Sequence, residues 1–197
     1  MALLREAARE EQCELFITAD EKVRCQVTEL VRQADFEQMS NASFRRELAA
    51  WIHPSRVGSR DGMPGDASQL GDSLNYSRRC PTLSIRTLDV GGGGPAQEPA
   101  QEQKFVKGSP VLALLSTETD TQESWLTAGQ GFEHVLLLAC ANGVSASFLN
   151  QVVEVDALRT QLRELLDTSG FPQALVRLGY GPQAKPTARR DISGVVF

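Results

Sequence analysis

Apolar positions are densest between Pro110 and Gln151, and the other elements are read around that stretch. Val111-Leu112-Ala113-Leu114-Leu115 is a short unbroken apolar run behind a proline, which predicts a strand buried on both faces. Asp120 stands at an N-cap position with Glu123 three residues on, a capping-box arrangement. The spacing predicts a helix from about Thr121 to Asn142. Gly143 ends it, since glycine enters the left-handed C′ conformation without a Cβ clash. The second half of this helix, Val135 to Ala141, is apolar on every side, which predicts a central helix surrounded by protein. Ser145 to Asn150 emerges from its end as a further extended segment.

Weaker patterns flank this unit. Residues Ala2 to Gln12 read as the end of a charged helix, and Cys13 to Thr18 as a strand. Asp20 caps a helix whose Val23, Val27, Leu30 and Val31 fall on one face. Asn41 caps a second, with Phe44, Leu48, Trp51 and Ile52, which His53-Pro54 stops. Downstream, Asp156 caps a helix with Leu158, Leu162, Leu165 and Leu166 on one face, and Gly170 ends it. Ala174 to Tyr180 reads as a strand broken by Gly181-Pro182. Strands mixed with helices predict a sheet domain of the α/β or α+β class.

From Ser55 to Gln103 the periodicity disappears. Thr82 to Leu88 could form one strand, and Gly91 to Glu102 has linker composition. The expectation is one domain over 1–197 with a lid-like or flexible insertion at 54–104. The four glycines Gly91 to Gly94 lack the Lys-Ser/Thr of a phosphate loop.

Composition narrows the class. A net charge of -5 argues against a nucleic-acid partner. No apolar run approaches the ~20 residues of a membrane span, and Met1 to Glu6 does not open a signal peptide. A cytoplasmic location is the resulting expectation. The four cysteines form no Cys-x-x-Cys pair, and Cys13 and Cys140 read as small core residues. His53 and His134 have no ligand partner at helical spacing, so no metal site is expected.

Three places could carry chemistry. Gly129 and Gly131 inside a helix each cost about 1 kcal/mol relative to alanine, so something approaches that backbone closely: another helix, a partner subunit or a flat ligand. Gly143 to Gln151 is a polar-edged turn whose backbone N–H groups could meet a ligand, with Phe148 offering a flat face. Arg189-Arg190 is the paired basic site of the tail.

The runs Pro110 to Thr117, Trp125 to Gln130, Val135 to Gly143 and Val176 to Pro182, followed by Arg189-Arg190, resemble the flavin-dependent nitroreductase superfamily. With Phe44 to Trp51 and Asp61 to Pro64 they look closest to the two-half, Acg-type nitroreductase-like proteins. The resemblance implies an α+β fold: a central sheet flanked by helices, with one long buried central helix. It implies bound FMN, reduced by NAD(P)H, passing hydride to a nitroaromatic or quinone-type acceptor. It places Ser147, Phe148, Leu149, Asn150 and Gln151 beside the flavin ring, and Arg189 and Arg190 at its phosphate. No catalytic acid or base is implied.

Family members are dimers or two-half monomers, so a homodimer or a missing N-terminal half is expected. The family's N-terminal Arg-rich segment is not found at the start of this sequence, which resembles the C-terminal half. Two other readings stay open: a protein that sequesters FMN without turnover, and a flavin-free interaction domain.

Overall fold

The computed structural model describes residues 1–53, 63–64, 110–180 and 190–196. The strand expected at Thr82 to Leu88, nearly all of the 54–104 insertion, Cys80 and Arg189 lie outside the described residues. The described strands are β1 (Glu14–Thr18), β2 (Ile52–His53), β3 (Met63–Pro64), β4 (Val111–Thr117), β5 (Ser145–Phe148) and β6 (Phe171–Gly179). The α-helices are α1 (Ala2–Glu10), α2 (Glu21–Ser40), α3 (Ala42–Trp51), α4 (Gln122–Ala141), α5 (Gln151–Glu154) and α6 (Asp156–Leu165). The chain forms two compact units, Met1–Phe36 with Pro99–Gly181, and Glu37–Glu98 with Pro182–Phe197.

The first unit is built on a four-stranded antiparallel sheet in the order β1-β4-β6-β5. Helices cover both faces, as expected of an α+β fold. On one face α1 and the long α4 meet Leu15, Ala113, Leu115, Val176 and Leu178. On the other, α2, α5 and α6 meet Leu112, Leu114 and Leu175. Adjacent residues of a strand point to opposite faces. A strand buried on both therefore reads as the continuous apolar run seen in β4. Leu114, Leu115, Leu175 and Leu178 are fully buried, each contributing roughly 1.5–3 kcal/mol of transfer free energy.

Three helices of this unit end on the same hydrogen-bond pattern with three different residues in the left-handed position. After α4, Gly143 (φ 69°) lets its own N–H reach Cys140 O and that of Val144 reach Ala139 O, both at 2.9 Å. After α1, Gln12 (φ 56°) does the same, with the Cys13 N–H on Ala8 O at 2.9 Å. After α6, Asp167 (φ 49°) does so, with the Thr168 N–H on Arg163 O at 3.2 Å. The expected stop at Gly170 is therefore corrected to Asp167. Gly170 is small for another reason: a Cβ there would lie 2.9 Å from Ser116 Oγ and 3.0 Å from Thr117 O.

Two expected caps are also corrected. Asp120 does not cap α4; Thr121 does, its Oγ1 accepting from the Ser124 N–H at 3.3 Å. Asp120 instead accepts from Trp125 Nε1 (2.7 Å), Arg159 Nη1 (2.8 Å) and Nη2 (3.0 Å), and Gln173 Nε2 (3.1 Å). It ties the start of α4 to α6 and β6. Those donors, Arg159 first, hold its carboxyl well below the usual carboxylate range. Asp156 lies in the first turn of α6 and makes no cap; the N-cap is Val155. Asp20 caps α2 as expected, accepting from the Val23 N–H at 2.9 Å.

The central helix α4 is buried on one face only. Ser124, Ala128, Gly131, Val135 and Ala139 are buried, whereas Trp125, Leu126, Leu137 and Cys140 are exposed. The expectations of a helix surrounded by protein and of Cys140 as a core residue are both corrected: the apolar run continues onto a face that nothing covers among the described residues of the first unit. The glycine pair also divides. A Cβ on Gly131 would meet Cys13 Sγ at 2.9 Å, so its close neighbour is the α1–β1 turn of the same chain. Gly129 has nothing within 4 Å among the described residues. Cys13 is buried, and burial followed by the Glu11 carboxylate pushes its thiol pKa up.

In the second unit α3 starts at Asn41, whose Oδ1 accepts from the Ser43 N–H at 2.9 Å. It runs into β2, which pairs in parallel with β3.

Candidate functional site

β5 follows α4 after the Gly143 turn and pairs only with β6 among the described strands. Its other edge therefore presents backbone N–H and C=O groups without a ladder partner among the described residues. Cross-strand partners share a face. Ser147 sits opposite Arg177, and Phe148 opposite Val176. Val176 belongs to the core under α4, so Phe148 turns to that side. There it packs edge-on against Phe132 of α4 with ring centroids 5.4 Å apart. Phe148 stays 48% exposed. Ser147 and Arg177 therefore share the opposite face, that of α2, α5 and α6.

Leu149 and Asn150 are committed inward. Leu149 is buried, and its N–H donates to Leu175 O at 2.8 Å. Asn150 Oδ1 accepts from the Leu175 N–H at 2.9 Å, so the two residues bracket Leu175 of β6. Gln151, half-buried, opens α5. The consecutive run is thus sorted by the fold: Ser147 and Phe148 line an open strand edge from opposite faces, while Leu149 and Asn150 anchor the turn. Arg190 is exposed and belongs to the second unit.

Sequence reasoning did not single out Arg177. It is buried on β6, the one buried Lys or Arg among the described residues, and its Nε donates to Ser147 Oγ at 2.9 Å. The visible signal was a charge inside an apolar strand run, Ala174-Leu175-Val176-Arg177-Leu178. His134, half-exposed on α4, faces the end of α1, with Nδ1 3.4 Å from Glu11 Oε1 and Nε2 3.9 Å from Glu10 Oε2. Among the described residues no cluster of His, Cys, Asp and Glu is suited to a metal ion. No described helix is long and apolar enough to cross a membrane.

No family model matches the chain. It is 31% identical over 172 residues to the Mycobacterium tuberculosis protein named "Putative NAD(P)H nitroreductase Rv3131", covering 85% of this chain and 46% of that one. It is 24% identical over 165 residues to "Putative NAD(P)H nitroreductase acg" of the same organism, covering 80% of this chain and 45% of that one. The chain is similar to these proteins over most of its own length. It spans about half the length of these relatives. Among solved structures, a mutant of the FMN and NADPH-dependent nitroreductase NfnB from Sphigopyxis superposes with a TM-score of 0.52 at 15% identity, covering 100% of this chain and 88% of that one. Iodotyrosine deiodinase bound to FMN and 3-iodo-L-tyrosine gives 0.50 at 14% identity, covering 95% and 82%. The likenesses to solved structures show that the chain has the fold of these nitroreductase-type proteins.

Proposed function

We propose that this protein is an FMN-dependent NAD(P)H oxidoreductase acting on a nitroaromatic or quinone-type acceptor. The observation that carries the reading is the open β5 edge behind the central helix, in a chain similar to proteins named NAD(P)H nitroreductases. The groups at that edge suit a flat heterocycle. Strand N–H and C=O groups complement ring carbonyls and nitrogens, the Ser147 hydroxyl adds a directed contact, and Phe148 supplies an exposed aromatic surface. Leu149 and Asn150 act through their hold on Leu175, keeping the edge in place. Gln151 follows at the start of α5. Arg189 and Arg190 are assigned to the phosphate, which a guanidinium fork fits with two donors at once. Bound FMN supplies the hydride chemistry; the protein binds, orients and shields it.

The partner expectation belongs to the same reading. A second copy of the chain covers the exposed apolar face of α4 around Leu126 and Leu137.

The test is spectroscopic. Purified protein titrated with FMN is expected to quench flavin fluorescence saturably, and anaerobic NADH or NADPH to bleach the bound flavin. Flavin bound but never bleached by either nicotinamide returns a sequestering protein. No saturable binding returns an interaction domain.

A further inference from the structure

We infer that Arg177 is a positioning residue that makes the Ser147 hydroxyl a directed donor to a carbonyl or ring nitrogen of a flat ligand on the β5 edge. The inference rests on the FMN reading and deepens it. A guanidinium in a strand between Val176 and Leu178 is costly to desolvate. Its register places it directly across from Ser147 on the edge strand, and its Nε–H is aimed at Ser147 Oγ at 2.9 Å.

That bond fixes the direction of the next one. A serine hydroxyl has one hydrogen and two lone pairs. With a lone pair occupied by a cationic donor, the hydroxyl hydrogen has to point elsewhere, and the bond polarises the O–H. Ser147 is only half-buried and stands on the outermost described strand of its sheet, so the polarised O–H is offered to a ligand acceptor on its open side. Lysine would not reproduce this, since the planar guanidinium presents Nε–H at a fixed angle. The contact also favours whichever ligand state carries more negative charge on the acceptor, which for a flavin is the reduced state.

The experiment is a double-mutant cycle on FMN affinity in the full chain, using Ser147→Ala, Arg177→Gln and the double variant, with Ser147→Thr as the conservative control. Each of the first two is expected to weaken FMN binding by roughly tenfold, the scale of one charge-assisted hydrogen bond. The double variant is expected to be no weaker than either single one, and Ser147→Thr to retain most of the affinity. The midpoint potential of bound FMN is expected to fall in Arg177→Gln and in Ser147→Ala alike, a shift that general loosening of the sheet would not produce. Should Arg177→Gln unfold, Arg177→Lys gives the same comparison. Additive losses in the double variant, or an unmoved potential, overturn the inference while the FMN reading stands. Absence of FMN binding by the unaltered protein overturns both.

Discussion

Four donor nitrogens from three side chains converge on the Asp120 carboxylate, and the charge is what suits it to all of them. An asparagine in its place keeps the shape but turns one oxygen into a donor facing a guanidinium. Asp120→Asn is expected to cost about 1–2 kcal/mol, at the low end for a charge-assisted site because the pair is partly solvent-exposed. Urea unfolding of the two proteins at neutral pH measures it. The pH dependence has a definite sign. The folded-state pKa of Asp120 lies below its unfolded value, so its stabilisation is complete above the ordinary carboxylate range. It is lost as pH falls through that range towards the folded value. The gap between wild type and variant should therefore narrow on acidification; a constant gap would show that the charge is not what the site uses. Sequence alone marks Asp120 as an N-cap candidate because an Asp before a helix fits that role. It could not show that Arg159 and Gln173, distant in the chain, return to the same carboxylate.

Within α4, two glycines two positions apart have opposite consequences. Gly129 is exposed, with open space over it among the described residues, so Gly129→Ala gains helix propensity and is expected to stabilise by up to about 1 kcal/mol. Gly131 lies against Cys13, and a Cβ there would be 2.9 Å from the sulfur. Gly131→Ala is expected to destabilise by about 1–3 kcal/mol through overpacking. Combining it with Cys13→Ala, which removes the obstructing sulfur, should recover part of the loss; thermal melts of the single and double variants decide this. The clue that something approaches this helix closely was present in the residue types. That the neighbour is the α1–β1 turn of the same chain depends on tertiary placement. Helix ends show the same limit. Gly143 was legible because glycine is the usual left-handed cap. Gln12 adopts that conformation with no residue-type signal to mark it, and Asp167 with only the modest left-handed tolerance of aspartate.

For the molecule taken whole, the outer face of α4 is the feature that the described part of the first unit leaves without cover. Leu126 is 74% exposed and Leu137 61%, and Trp125, on the same helix, is held by its bond to Asp120. Exposed apolar side chains this large along one helix suit a protein interface. Sedimentation of the purified protein is expected to show a species larger than the monomer, and Leu137→Glu to shift it to monomer without lowering the unfolding midpoint of the monomeric form. A concentration-independent monomer for the unaltered chain would count against the interface.

Local chemistry and period were enough to read several elements directly from the residues. β4 was legible from an unbroken apolar run, α2 from its Asp20 cap and apolar stripe, and the end of α4 from Gly143. The residues also placed an extended segment from Ser145 onwards, and residue-by-residue resemblance assigned Ser147 to Gln151 to a ligand site. Which of those residues look outward was settled only by packing in three dimensions. Pairing with β6 turned Ser147 towards Arg177 and Phe148 towards Phe132, and it committed Leu149 and Asn150 to Leu175. The same holds for the exposed half of α4, since an all-round apolar helix shows that burial is favourable without showing which neighbours provide it. The physical reason is one of range. Caps, turns and periodicity act over a few residues along the chain, whereas strand register and side-chain partners are set by contacts between segments tens of residues apart.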